Sequence, residues 1–145
     1  MFEAPKRIID RVFLHCSASE INQTGQELVD EIRRWHLARG FSDIGYHFVV
    51  DVEGTTLPGR SLEKTPAAQR GHNLRTIAIC AHGLVFNDEW YHSAQAASLI
   101  SLCGQIHQSY QGIIGFWPHN AVANKACPVF DVTRLLGLDR WRRMP

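Results

Sequence analysis

Two short apolar runs, Val12-Phe13-Leu14 and Ile77-Ala78-Ile79-Cys80-Ala81, limit the fold of this 145-residue chain more than anything else in it. Each is bounded by polar or turn residues and neither alternates, which is the pattern of strands buried on both faces. Such strands need helices packed against the sheet, and the chain supplies two. Leu28, Ile32 and Trp35 recur at helical spacing behind Thr24-Gly25-Gln26-Glu27, a capping-box pattern, until Gly40 stops the run. From Ser93 to Tyr110, the residues Ala96, Leu99, Ile100, Cys103, Ile106, His107 and Tyr110 fall on one face of a longer helix that ends at Gly112. Between the helices, Tyr46-His47-Phe48-Val49-Val50 and Thr55-Thr56-Leu57 flank Glu53-Gly54 and read as an antiparallel hairpin. Trp117-Pro118-His119 reads as a polar loop after a glycine-rich turn, and a short last helix begins near Asp131. This order predicts an α/β fold: a single domain with a central mixed sheet of about four to six strands flanked by helices.

No repeat or flexible linker divides the chain, so residues 6–138 read as one domain and 139–145 as a basic tail. Fifteen lysines and arginines against 14 acidic residues give a net charge of +1, which argues against nucleic acid as a ligand. The apolar runs fall far short of the ~20 residues of a membrane span, so no stable membrane insertion is expected. The start, MFEAPKRIIDR, has no hydrophobic signal region, which predicts synthesis in the cytoplasm. Eight histidines and four cysteines stand out, the cysteines at 16, 80, 103 and 127 without CxxC spacing. A cysteine in such a chain is either core or chemistry.

Three of these residues draw attention together: His15 at a strand end, and His119 and Cys127 eight positions apart in a later loop. Imidazole nitrogen and thiolate sulfur both suit zinc, and three protein ligands leave a fourth tetrahedral position open, as catalytic sites do. Spacing alone is a weak signal. On their own, His15 and His119 read more readily as hydrogen-bonded histidines at a core edge, whereas for Cys127 the flanking Lys125 and the polar loop argue against an inert buried thiol.

The chain from about residue 8 to 136 resembles the zinc-dependent N-acetylmuramoyl-L-alanine amidases, the family that shares its fold with peptidoglycan recognition proteins and includes short phage lysozymes. The resemblance is carried, in order, by Val12-Phe13-Leu14-His15-Cys16-Ser17-Ala18-Ser19, by the stretch from Ile32 to Phe48 containing Gly45-Tyr46-His47, and by Gly59-Arg60 and Gly71-His72-Asn73. It continues through Thr76-Ile77-Ala78-Ile79, Gln95, His119 and Lys125-Ala126-Cys127-Pro128-Val129-Phe130-Asp131. It implies that His15, His119 and Cys127 hold one Zn2+ ion, that Tyr46 and Lys125 assist catalysis, and that the substrate is peptidoglycan or a muropeptide. Each role is physically reasonable. Zinc lowers the pKa of its bound water from ~16 toward ~7, which supplies hydroxide to attack an amide carbonyl. The Lys125 ammonium would stabilise the oxyanion that results, and Tyr46 would hydrogen-bond the water or the developing charge. Pro128 biases Cys127 toward extended geometry.

Other residues receive plainer readings. Cys16 alternates away from His15 and is assigned to the core, as are Cys80 and Cys103. His36, His47 and His107 are read as structural. His82 is left open between lining the cleft and capping a strand. Ala67-Ala68-Gln69 departs from the family, where a histidine is common, and no substrate-binding residue is assigned. Trp117 reads equally as a wall of the site and as a core tryptophan. The tail Arg140-Trp141-Arg142-Arg143 is read as solvated, with attraction to anionic envelope surfaces as the alternative.

The implied activity is hydrolysis of the bond between N-acetylmuramic acid and L-alanine by a monomeric phage or prophage endolysin that acts on the periplasmic wall. The alternatives are a cytosolic muropeptide-recycling amidase and a peptidoglycan-binding module without catalysis. Some short phage relatives also bind the phage's RNA polymerase, a role the near-neutral charge does not support.

Overall fold

The two apolar runs become neighbours. Strand β1 (Arg11–Cys16) lies parallel to β4 (Thr76–Ala81), with Val12 opposite Ile77 and His15 opposite Cys80. The structure, a computed structural model, describes residues 2–145. With β2 (Phe48–Val50), β3 (Thr56–Pro58) and β5 (Gly115–Pro118), these strands form one five-stranded sheet in the order β3-β2-β4-β1-β5. Only the β2–β3 hairpin is antiparallel, so the sheet is mixed.

One face of β1, carrying Val12, Leu14 and Cys16, joins Ile77, Ile79, Ala81 and Phe116 beneath α2 (Ala94–Ser109) and α3 (Val132–Leu136). Alternation turns Phe13 and His15 to the other face. There α1 (Gly25–Ala38) packs Leu28, Val29 and Ile32 on Ile44 and Val49. A histidine at the end of a fully buried strand is thereby held on the α1 side of the sheet.

The helices follow their sequence signals with two adjustments. Thr24 is the N-cap of α1, but its side chain makes no capping bond. Instead the buried Asp51 carboxylate, at the end of β2, accepts the Gly25 N–H at 2.9 Å and also those of Glu53 and Thr55. One carboxylate thus serves the positive end of α1 and the hairpin turn together. In α2 the buried stripe is Gln95, Ala96, Leu99, Leu102, Cys103 and Ile106, and Ile100 lies at its margin, 38% exposed.

The polar loop expected at Trp117-Pro118 is instead strand β5, paired with β1 from Arg11↔Gly115 to Leu14↔Pro118. Gly115 and Pro118 disguise it, because both are poor strand residues in isolation. Proline is tolerated at the end of an edge strand, where its missing N–H costs no ladder bond. The expected solvated tail also has a place. The Phe116 N–H donates to the Arg142 carbonyl at 2.8 Å and Arg142 Nε returns a bond to the Phe116 carbonyl at 3.1 Å, so Arg142 pairs with the open side of β5. Trp141 remains 58% exposed beside the Arg140 guanidinium. Among the described residues, no helix is long and apolar enough to cross a membrane.

Candidate metal centre

The C-terminal end of β1 delivers His15, and the turn that follows β5 delivers His119. Because β1 and β5 are hydrogen-bonded neighbours, these imidazoles meet although 104 residues separate them, with ring centroids 4.5 Å apart. Cys127 arrives by a loop that closes on itself: the Asn120 N–H donates to the Cys127 carbonyl at 2.7 Å, and the Asn120 side chain reaches the Pro128 carbonyl. The backbone N–H of Cys16 then donates to Cys127 Sγ at 3.4 Å. The three candidate ligand atoms lie within 4.8 Å of one another.

This donor set fits a zinc ion. Tetrahedral zinc with bonds near 2.0–2.3 Å places its ligand atoms about 3.3–3.6 Å apart. His15 Nδ1 stands 3.8 Å from Cys127 Sγ, a few tenths of an ångström from that spacing. His119 Nδ1 is buried and has no hydrogen-bond partner, which is costly for a nitrogen without a ligand. Burial, then the His119 ring and the Lys125 ammonium, push His15 down to about 3. Burial and Lys125 lower His119 as well. Both rings are therefore neutral at pH 7, the state a metal requires.

Cys16 lies on the opposite face of β1 and is buried, in line with its alternation, but its backbone N–H and carbonyl both reach Cys127 Sγ, at 3.4 and 3.7 Å. Alternation could not show this, because Cys127 sits at the strand's end, within reach of both faces. The nearby Cys16 and burial hold the Cys127 thiol proton more tightly than in an isolated thiol. A cation at the site would draw off that proton.

Tyr46 and Lys125 both border the ligands. The Tyr46 ring is 5.2 Å from that of His15. Burial raises the phenol well above its ordinary value, so it can act only as a proton donor or dipole. Lys125 is exposed, has no ion-pair partner among the described residues, lies two residues before Cys127 in the same loop, and its charge disfavours charging of both imidazoles.

Three other histidines are structural in geometry, while His107 keeps a buried Nδ1 without a partner. His47 Nδ1 accepts the Ala78 N–H and its Nε2 donates to the Lys64 carbonyl. His36 Nδ1 accepts the Gly45 N–H at 2.7 Å. His82, left open by its sequence, bonds Ser17 Oγ and the Ile21 carbonyl, tying the ends of β4 and β1 to the loop before α1. Trp117 is half-buried in β5, with the Arg142 guanidinium 5.2 Å from its ring. Sequence reasoning missed Gln69, which is fully buried and bonds His15 Nε2 at 2.9 Å. Nothing in Ala67-Ala68-Gln69-Arg70 marks a glutamine whose loop folds under a strand end.

Residues 5–130 match the family model described as N-acetylmuramoyl-L-alanine amidase. The chain belongs to that family. It is 36% identical over 129 residues to the endolysin of Escherichia phage T7, covering 86% of this chain and 83% of that protein. With the Klebsiella phage KP32 endolysin it shares 35% over 128 residues, covering 86% and 83% respectively. Among solved structures, the N-acetylmuramoyl-L-alanine amidase LysC from Clostridium intestinale URNW superposes with a TM-score of 0.75 at 28% identity, covering 89% of this chain and 83% of that one. The ectodomain complex of the peptidoglycan recognition proteins LCa and LCx has a TM-score of 0.71 at 22% identity, covering 88% of this chain and 80% of that one, and so bears on the fold alone. For this amidase family member, all five residues expected from the sequence, His15, Tyr46, His119, Lys125 and Cys127, lie at one place in the fold.

Proposed function

We propose that this chain is a phage endolysin that hydrolyses the amide bond between N-acetylmuramic acid and L-alanine in peptidoglycan, with His15, His119 and Cys127 as ligands of one zinc ion. The family match and the phage relatives support the activity. The observation that carries the metal reading is the partnerless, buried Nδ1 of His119 beside His15 Nδ1 and Cys127 Sγ.

Zinc held by His15, His119 and Cys127 would supply Lewis acidity and lower the pKa of a water toward ~7. The protein's own groups do the rest. Lys125, cationic and unpaired, is placed to meet the negative charge that grows on the carbonyl oxygen as the amide carbon becomes tetrahedral. Tyr46, kept protonated by burial, offers a dipole beside the His15 ring.

The test is an assay on two substrates side by side, intact sacculi and soluble muropeptide, with chelator and then with added zinc. The expected result is release of stem peptide from sacculi, abolished by chelation and restored by zinc. Activity confined to soluble muropeptide would move the reading to a recycling amidase. Binding without release would move it to a recognition module.

A further inference from the structure

A chain of hydrogen bonds behind the metal centre ends in an unambiguous acceptor, and following it inward assigns every proton. The Asn73 backbone carbonyl can only accept, so Thr76 Oγ1, 2.8 Å away, spends its single proton there. Thr76 Oγ1 must then accept from Gln69 Nε2 at 2.7 Å, and the same amide nitrogen also reaches the His72 carbonyl. With its NH2 end committed twice, Gln69 presents Oε1 to His15 Nε2 at 2.9 Å, so that ring nitrogen carries the hydrogen. The lone pair of His15 is therefore on Nδ1, the atom that faces Cys127 Sγ.

The loop that holds Gln69 is itself fixed. Asn73 Oδ1 accepts the N–H groups of Ala68 and Gln69 at 3.0 and 2.9 Å, and Gln69 and Thr76 are both fully buried. Gln69 cannot turn its amide over without losing two bonds and placing NH2 against a ring N–H.

We infer that Gln69 is the positioning residue of the metal centre: by accepting from His15 Nε2 it locks the ring in the tautomer and orientation that aim Nδ1 at the metal. The inference rests on the metal reading above and gives the Gln69 loop a role in it. An outer partner of a ligating histidine is typically worth 10–100-fold in metal affinity.

Two measurements test it. Nitrogen NMR of the metal-free wild type should show His15 protonated at Nε2, and in Gln69→Leu the two tautomers should both be populated. Zinc affinity, read by competition with a chromogenic chelator, should fall about 10–100-fold in Gln69→Leu and return to within about threefold of wild type in Gln69→Glu, which keeps the acceptor. Thr76→Val, which removes the hydroxyl that orients the amide, should weaken zinc in the same direction and serves if Gln69→Leu does not fold. A His15 protonated at Nδ1 in the wild type, or zinc affinities within twofold across Gln69→Leu and Thr76→Val, would overturn the inference. A wild type that takes up no zinc would overturn the metal reading instead, and the tautomer measurement would still decide what Gln69 does to His15.

Discussion

Two pairs of buried histidines divide the molecule by what their ring nitrogens do. His47 and His82 spend both nitrogens on hydrogen bonds to backbone or serine groups and join strands to loops. His15 spends only Nε2 and His119 leaves Nδ1 without a partner, and their free nitrogens converge with a thiol. Burial is equally deep in both pairs, from 1% to 7% exposed, so burial does not tell site from scaffold. Convergence does: His107 Nδ1 is also buried without a partner, but among the described residues only His15, His119 and Cys127 bring three donor atoms together.

The widest separation between the pairs should come from Cys127→Ala. Loss of a ligand should cut amidase turnover by ~10³-fold or more, about 4 kcal/mol, with zinc content falling in the same preparation. Cys127→Ala that kept its turnover would erase the distinction. His82→Ala should do the reverse: it strands the Ile21 carbonyl and leaves Ser17 Oγ only its bonds with Gly83, costs about 2 kcal/mol in urea unfolding, and leaves zinc stoichiometry unchanged. Lys125→Ala lies between these, because it touches neither metal nor core. Turnover should drop ~100-fold with unchanged zinc content and unfolding midpoint, as for loss of one oxyanion donor.

A smaller effect follows from pH. Burial and the nearby Arg39 and Arg60 hold His36 down to about 4, and burial chiefly holds His47 there, with Arg7 and Arg60 also facing it. Unfolded, each would titrate near 6.5, so between about 4 and 6.5 the unfolded chain binds more protons and stability rises with pH. The contribution is complete above about 6.5 and is lost as pH falls toward 4, at up to about 1.4 kcal/mol per pH unit for each histidine. Urea midpoints of the metal-free protein across that range should show the slope, and His47→Gln should reduce it by one proton. The smallest change should come from the exposed His92: His92→Ala should stay within about 0.5 kcal/mol of wild type.

Much of the architecture was legible because local rules govern it. The runs at 12–14 and 77–81 read as buried strands and are the two central strands, since only helix-covered strands can be apolar on both faces. Strand β5 was not legible. Its pairing comes from β1 on one side and from Arg142 on the other, and neither partner is local to Gly115–Pro118. The capping box at Thr24 gave the right helix start for a different reason, with the carboxylate of Asp51, 26 residues away from Gly25, in the place of the threonine hydroxyl.

The candidate site divides in the same way. Residue types and the family's motif order were enough to single out His15, Tyr46, His119, Lys125 and Cys127, because the donor chemistry belongs to the side chains themselves. Only the tertiary structure decided which nitrogen of His15 is free, that the Cys16 backbone touches the candidate ligand Cys127, and that Gln69 stands behind His15. Those are contacts between residues 54 to 112 positions apart, made when β1 is pressed between β4 and β5 and loops close over its end. A side chain carries its own chemistry into the fold, but its tautomer, its proton and its free lone pair are set by the neighbours that packing brings to it.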